Sequence, residues 1–160
     1  MNLKYYSEPI SCIYPTSFFF TCNQKYIRNV AKLIIETIPL EYKRLVLAGR
    51  GTSGCILCGA VGELLAQKGI CSSIFISRKS ESHHDTSDMP SLFLSCPIVV
   101  IDDFIETGQT VKAILEDLKS LCACIEHVDM LCVSNCGYRL EGLTHLQPIL
   151  EKFNYIGCNK

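Results

Sequence analysis

Neither sign of charge dominates this chain: 15 lysines and arginines stand against 16 aspartates and glutamates, a formal net charge of −1. Proteins that bind nucleic acid through bulk electrostatics need a basic footprint, and none is available. No basic segment leads into an apolar one at the start, so no secretion signal is expected. No apolar run approaches the roughly 20 residues that span a bilayer. The sequence also lacks internal repeats, low-complexity tracts and any linker that would divide it. No second Cys or His pair stands at zinc-finger spacing from Cys55-x-x-Cys58, which is therefore read as two buried helix cysteines rather than a metal or redox motif.

What is present is a globular composition. The 160 residues are 48% apolar and 19% charged, enough for one well-formed core and a single domain. Eleven cysteines are an odd and high number. Several lie in apolar segments (Cys71, Cys96, Cys122, Cys124, Cys132), where a free thiol behaves as a small hydrophobe. A reducing compartment, the cytoplasm, is the expected location.

Along the chain, the aromatic segment up to Cys22, with its run Ser17-Phe18-Phe19-Phe20, is expected to form short extended pieces around a turn. Ile27, Val30, Ala31, Ile34, Ile35 and Ile38 recur at helical spacing, which predicts a helix from Gln24 to Ile38, stopped by Pro39. Strands are expected at Leu45–Ala48, Ile70–Ser77, Ile98–Ile101 and Ile125–Val133, with helices at Cys55–Gln67 and Val111–Leu121. A helix from Leu143 to Phe153 and a short strand near Tyr155-Ile156 complete the reading. Near-continuous apolar strands alternating with helices predict an α/β fold, a parallel sheet flanked by helices on both faces. Ligands of such folds bind at the carboxyl ends of the strands, and the unusual residues fall there.

Two turns and one long loop carry the chemistry. Thr107-Gly108-Gln109-Thr110 immediately precedes a helix, so its N–H groups are the unpaired donors of a helix start. With two hydroxyls and a glycine it suits a phosphate, or it is simply a Thr N-cap with nothing bound. Three acids close before it, Asp102, Asp103 and Glu106, would repel a bare phosphate. They make sense with a sugar between them and the phosphate, or with a divalent cation. The second turn, Gly49-Arg50-Gly51-Thr52-Ser53-Gly54, offers close backbone approach and a forked cation, but it is neither a Walker A sequence nor the full dinucleotide fingerprint. The alternative there is a tight strand-to-helix turn. The polar segment that begins Arg78-Lys79-Ser80-Glu81-Ser82-His83-His84-Asp85 is long enough to be a lid or binding loop.

Val99-Val100-Ile101-Asp102-Asp103-Phe104-Ile105-Glu106-Thr107-Gly108-Gln109-Thr110 resembles the signature of type I phosphoribosyltransferases: an apolar strand, two acids, a few variable residues, then Thr-Gly-x-Thr. The resemblance implies that fold, with a small N-terminal hood (residues 1–22) on a core (residues 40–160). It implies binding of 5-phosphoribosyl 1-pyrophosphate: Asp102 and Asp103 at the ribose hydroxyls, Thr107, Gly108, Gln109 and Thr110 at the 5′-phosphate. Arg50, Gly51 and Thr52 would belong to the pyrophosphate loop, which in the family often holds a non-proline cis peptide. Mg²⁺ would be held mainly by the substrate, with Asp102 and Asp103 as the contribution of the chain. Family members are commonly homodimers.

The loop at Arg78 is similar to the Arg-Lys-x-x-Lys-x-His pattern of orotate phosphoribosyltransferases: Arg78, Lys79 and His84 match, while Ser82 stands where the second lysine would be. Arg78 and Lys79 are expected to neutralise the leaving pyrophosphate. Glu106 occupies the position where hypoxanthine-guanine enzymes carry an aspartate close to the purine, so it points to a purine while the loop points to orotate. The activity implied is transfer of 5-phosphoribosyl to a nucleobase, in nucleotide biosynthesis or salvage. The rival reading is a non-catalytic regulator of the same fold that senses the donor or nucleotides.

Overall fold

A computed structural model of the chain describes residues 4–5, 24–39, 41–77, 95–105, 107–126, 128–136, 146 and 148–155. They form strands β1 (Lys4–Tyr5), β2 (Arg44–Arg50), β3 (Cys71–Ser77), β4 (Ile98–Ile105), β5 (Val128–Cys136) and β6 (Leu150–Tyr155), and helices α1 (Gln24–Thr37), α2 (Gly51–Gln67) and α3 (Gln109–Leu121). The strands make one sheet in the order β1-β6-β5-β4-β2-β3, with every pairing parallel.

The apolar strands are continuous because both faces are covered. Leu45, Leu47, Val99, Ile101, Met130 and Cys132 pack with α1 and α2 on one face. Val46, Ala48, Ile98, Val100, Leu131 and Val133 pack with α3 on the other. Period-2 alternation therefore sends neighbouring strand residues into different clusters, and neither set reaches water. Helix α3 buries Val111, Ile114, Leu115 and Leu118, each worth roughly 2 kcal/mol of transfer free energy. Helix α1 ends one residue before the expected Ile38; the following Pro39 accepts a hydrogen bond from Tyr42 N–H at 3.1 Å as the chain turns.

Four expectations need correction. The expected Leu143–Phe153 helix does not hold for its described end: a 3₁₀ turn at residues 148–149 leads into β6, which pairs with β5 from Val128↔Leu150 to Val133↔Tyr155. Pairing satisfies the backbone groups along an edge of β5 that a helix would have left bare, and a short apolar run does not by itself separate helix from strand. The strand placed at Ile125–Val133 begins three residues later, because a tight turn (Ile125 N–H to Cys122 C=O, 3.1 Å) still holds Ile125. In α2 the helical stripe Leu57, Cys58, Val61, Leu65 takes only one of the two motif cysteines inside; Cys55 is exposed. Likewise Cys71 and Cys124 are exposed and Cys96 and Cys122 half-buried, leaving Cys132 as the buried one of that group. Cys55, Cys58, Cys71, Cys96, Cys122, Cys124 and Cys132 are in no disulfide.

Within the segment expected to be a hood, Lys4 and Tyr5 are extended and pair with β6 (Lys4↔Asn154, Tyr5↔Tyr155). The rest of residues 1–22 lies outside the described residues. Among the described residues no helix is long and apolar enough to cross a membrane.

Candidate active site

The sheet reverses direction between β2 and β4. From β2 the chain passes through α2 to β3 on one side; from β4 it passes through α3 to β5 on the other. Because α2 and α3 cover opposite faces, the crevice at the carboxyl ends of β2 and β4 is the topological switch point, where open α/β sheets bind ligands. The pairing itself opens there. β2 and β4 are joined only from Val46↔Ile98 to Ala48↔Val100, whereas β2–β3 pairing continues to Arg50↔Ser77 and β4–β5 pairing to Ile105↔Cys136. Past Val100 the pairing of the two central strands ends, at the crevice that a switch point implies.

Each of these two strands leads into a helix start with no side-chain cap. At α3 the N-cap is Gly108, with φ 73°. Its left-handed backbone suits glycine, and a Cβ there would lie 2.7 Å from the Leu146 side chain. The first intrahelical bond runs from Lys112 N–H to Gly108 C=O at 3.2 Å. The N–H groups of Gln109, Thr110 and Val111 therefore point outward as donors. Thr107 and Gln109 are exposed and Thr110 half-buried, so hydroxyls flank those donors. The helix starts two residues earlier than the apolar spacing predicts, which makes Gln109 and Thr110 its first turn rather than a loop.

At α2 the correction is larger. The helix begins at Gly51, not Cys55, so Thr52, Ser53 and Gly54 are its first turn and Arg50 is both the last residue of β2 and the N-cap. The reason lies in two glycines. A Cβ on Gly49 would stand 2.8 Å from the Gly54 backbone and 3.0 Å from Cys58 Sγ, so strand and helix touch backbone to backbone. Thr52 is exposed and Gly51 half-buried, the latter with φ 68°. No cis peptide bond occurs among the described residues.

The two acids of the signature are not equivalent. β4 runs on to Ile105, so Asp102 and Asp103 leave an intact strand on opposite faces. Asp102 is buried, and its Oδ1 accepts a hydrogen bond from Asp103 N–H at 3.0 Å. It thereby satisfies a backbone donor beyond the last β2–β4 pair. Asp103 is half-buried. Burial pushes the Cys58 thiol well above its ordinary value, with further upward pushes from Cys55 and from Asp102, so the Asp102 carboxylate is felt under the start of α2.

Arg50 is not a free cation. Its Nη1 donates to Ser77 Oγ and to Asp117 Oδ2 (3.3 Å), and Ser77 Oγ donates to the same Oδ2 at 2.5 Å. Asp117 lies on α3 and Ser77 ends β3, so three elements meet at this cation. Neither partner carries a local sequence signal, since they stand 27 and 67 positions from Arg50. Leu146, which seals Gly108, is unannounced for the same reason.

Glu106, Arg78, Lys79 and His84 lie outside the described residues, as do His83 and Asp85. Among the described residues no group of three or more His, Cys, Asp or Glu is placed to hold a metal ion. A cleft of about 230 Å³ opens at the other end of the sheet, between Cys96, Pro97, Cys124 and Glu126. Its Asp129 accepts from Ile98 N–H at 2.7 Å, tying β5 to the start of β4, away from the switch point.

No family model matches this chain and no curated protein sequence matches it. Solved structures do. A phosphoribosyltransferase from Corynebacterium diphtheriae superposes with a TM-score of 0.66 at 14% identity, over 90% of this chain and 82% of that one. Orotate phosphoribosyltransferase from Mycobacterium tuberculosis H37Rv, in complex with inorganic phosphate, gives 0.63 at 14% identity, over 90% and 78%. Adenine phosphoribosyltransferase from Saccharomyces cerevisiae gives 0.57 at 12% identity, over 82% and 80%. At such identities a likeness carries architecture alone, and on that ground the chain has the type I phosphoribosyltransferase fold.

Proposed function

We propose that this protein transfers the 5-phosphoribosyl group of 5-phosphoribosyl 1-pyrophosphate to a ring nitrogen of a nucleobase and releases pyrophosphate. The observation that carries the reading is the switch point where β2–β4 pairing ends, with an uncapped helix start following each of the two strands and the signature acids on β4. Two separate sets of N–H donors suit a ligand with a phosphate at each end and a sugar in the middle.

In this reaction the C1–O bond to pyrophosphate breaks and its electron pair leaves with the pyrophosphate. The sugar passes through an oxocarbenium-like state, the base nitrogen forms the new bond to C1, and the base sheds its proton. The task of the chain is electrostatic. Thr107, Gly108, Gln109 and Thr110 take the 5′-phosphate. Gly51 and Thr52 offer the leading amides of α2 to the pyrophosphate, with Arg50, Arg78 and Lys79 as cations and His84 in the same loop. Asp103 grips the ribose hydroxyls, while buried Asp102 braces the backbone that carries it. Glu106 follows the acids in the sequence and is our candidate to receive the proton of the base.

Mg²⁺ fits this donor set as a substrate-held ion: the half-buried Asp103 carboxylate is one hard oxygen ligand, and the rest of the shell would come from phosphate oxygens and water. Bound there, it would offset charge on the leaving group. The base is a pyrimidine of the orotate type or a purine; relatives in fold are named for orotate and for adenine. Seven cysteines outside any disulfide support a reducing, cytoplasmic setting, and a homodimer is the assembly we assign.

The test is pyrophosphate release with the donor, Mg²⁺ and a panel of orotate, purines and other pyrimidines. Turnover with one base and its near-complete loss in the Asp102→Asn, Asp103→Asn double variant are expected. Full activity in that variant would sink the site. Tight donor binding without turnover on any base would favour the regulator of the same fold.

A further inference from the structure

We propose that Asp117 is a positioning residue for the pyrophosphate end of the site: with Ser77 it grips Arg50 by one corner and presents the opposite edge of the guanidinium to an anion at the start of α2. The inference rests on the function proposed above.

A guanidinium carries five N–H donors in a fixed fork. Both protein contacts of Arg50 use Nη1, one to Ser77 Oγ and one to Asp117 Oδ2 at 3.3 Å, which consumes both hydrogens of that nitrogen. The Ser77 hydroxyl closes the triangle by donating to the same carboxylate oxygen. Nε and Nη2, the edge that engages phosphate oxygens two at a time, make no hydrogen bond within the described residues. The grip is therefore one-sided.

Two observations favour a role in orientation. The Asp117 side chain is 42% exposed against 18% for Arg50, and an ion pair so open to water adds little to stability. Arg50 is also the N-cap of α2, so its backbone belongs to the junction whose leading amides stand uncapped. An arginine already fixed in one rotamer loses less freedom when an anion arrives. Asp117 lies eight residues into α3, about 12 Å along the axis from Gln109. One helix thus serves both ends of the donor: its first turn meets the 5′-phosphate, and its third turn sets the cation for the pyrophosphate.

Calorimetric titration of the whole protein with pyrophosphate and, separately, ribose 5-phosphate distinguishes the possibilities. Asp117→Ala and Arg50→Ala are each expected to weaken pyrophosphate binding about tenfold while leaving ribose 5-phosphate unchanged. Asp117→Asn, which keeps acceptors for Arg50 and Ser77, should recover most of the loss, a rescue that a general packing defect would not give. If Asp117→Ala does not fold, Ser77→Ala, which opens the triangle but leaves the ion pair, carries the test with about a threefold weakening. Unchanged or tighter pyrophosphate binding in Asp117→Ala would overturn the proposal, since the carboxylate would then be a bystander or a competitor. Wild-type protein that binds ribose 5-phosphate but not pyrophosphate would overturn it while leaving the phosphoribosyl reading intact. Binding of neither would remove both.

Discussion

The two strand-to-helix junctions at the switch point solve one problem in opposite ways. From β2 to α2 there is no connecting residue: Arg50 ends the strand and Gly51 begins the helix. The chain gains this by bringing Gly49 and Gly54 into backbone contact, and nothing but glycine leaves room. From β4 to α3 the chain spends residues 106–108, ends them in a left-handed glycine, and seals that glycine with a leucine from a distant segment. The first junction is closed by main chain against main chain; the second is closed by a side chain. Main chain cannot yield, whereas a leucine can turn.

That difference ranks the consequences of adding a methyl group. Gly49→Ala sets a Cβ 2.8 Å from the Gly54 carbonyl carbon and oxygen, so strand and helix must separate; a loss of about 3 kcal/mol or more in urea unfolding is expected. Gly108→Ala meets Leu146 and a positive φ, for about 2–3 kcal/mol. Adding Leu146→Ala should relieve the steric part, so the double variant should lose less than the sum of the single losses. Strict additivity would mean that the leucine is not what closes this junction. Gly51→Ala has no neighbour within 4 Å of its Cβ, which leaves only the backbone cost of about 1 kcal/mol.

The smallest effect concerns the thiol beside the packed junction. Burial raises the Cys58 pKa in the folded chain, so the unfolded chain loses that proton first as pH rises. The unfolded state then binds fewer protons and stability falls, with the contribution complete below the ordinary thiol range. A loss of about 0.7 kcal/mol between pH 8 and pH 9 is expected. Cys58→Ala should flatten that slope, and an unchanged slope would assign it to another group.

The fold was legible where burial on two faces forced continuous apolar runs. Leu45–Ala48, Ile98–Ile101 and all of Ile70–Ser77 but its first residue fall on strands, and Val111, Ile114, Leu115 and Leu118 on the buried stripe of α3. Helix starts were less legible, because Thr52, Ser53 and Thr110 belong to helices through geometry that glycines permit rather than through apolar spacing. The β6 strand was misread because Leu146, Ile149 and Leu150 fit either periodicity, and only the bare edge of β5 decides between them. Of the site, the signature and both glycine turns can be read directly. The engagement of Arg50 with Asp117 cannot, since a contact across 67 positions leaves no mark in local composition. Nor does the sequence say that Asp102 is buried and Asp103 half-buried, a division created by where β2 stops pairing with β4.

Residues 4 and 5 pair with residues 154 and 155. A contact that closes a loop of about 150 residues is entropically among the last to form. During synthesis residues 4 and 5 must also wait for residues 154 and 155 to leave the ribosome. The nascent chain can assemble the site at the switch point while β6 is still missing, with the outer edge of β5 open to other strands. Completion of that edge, rather than of the site at the switch point, is then the last step in assembling the sheet.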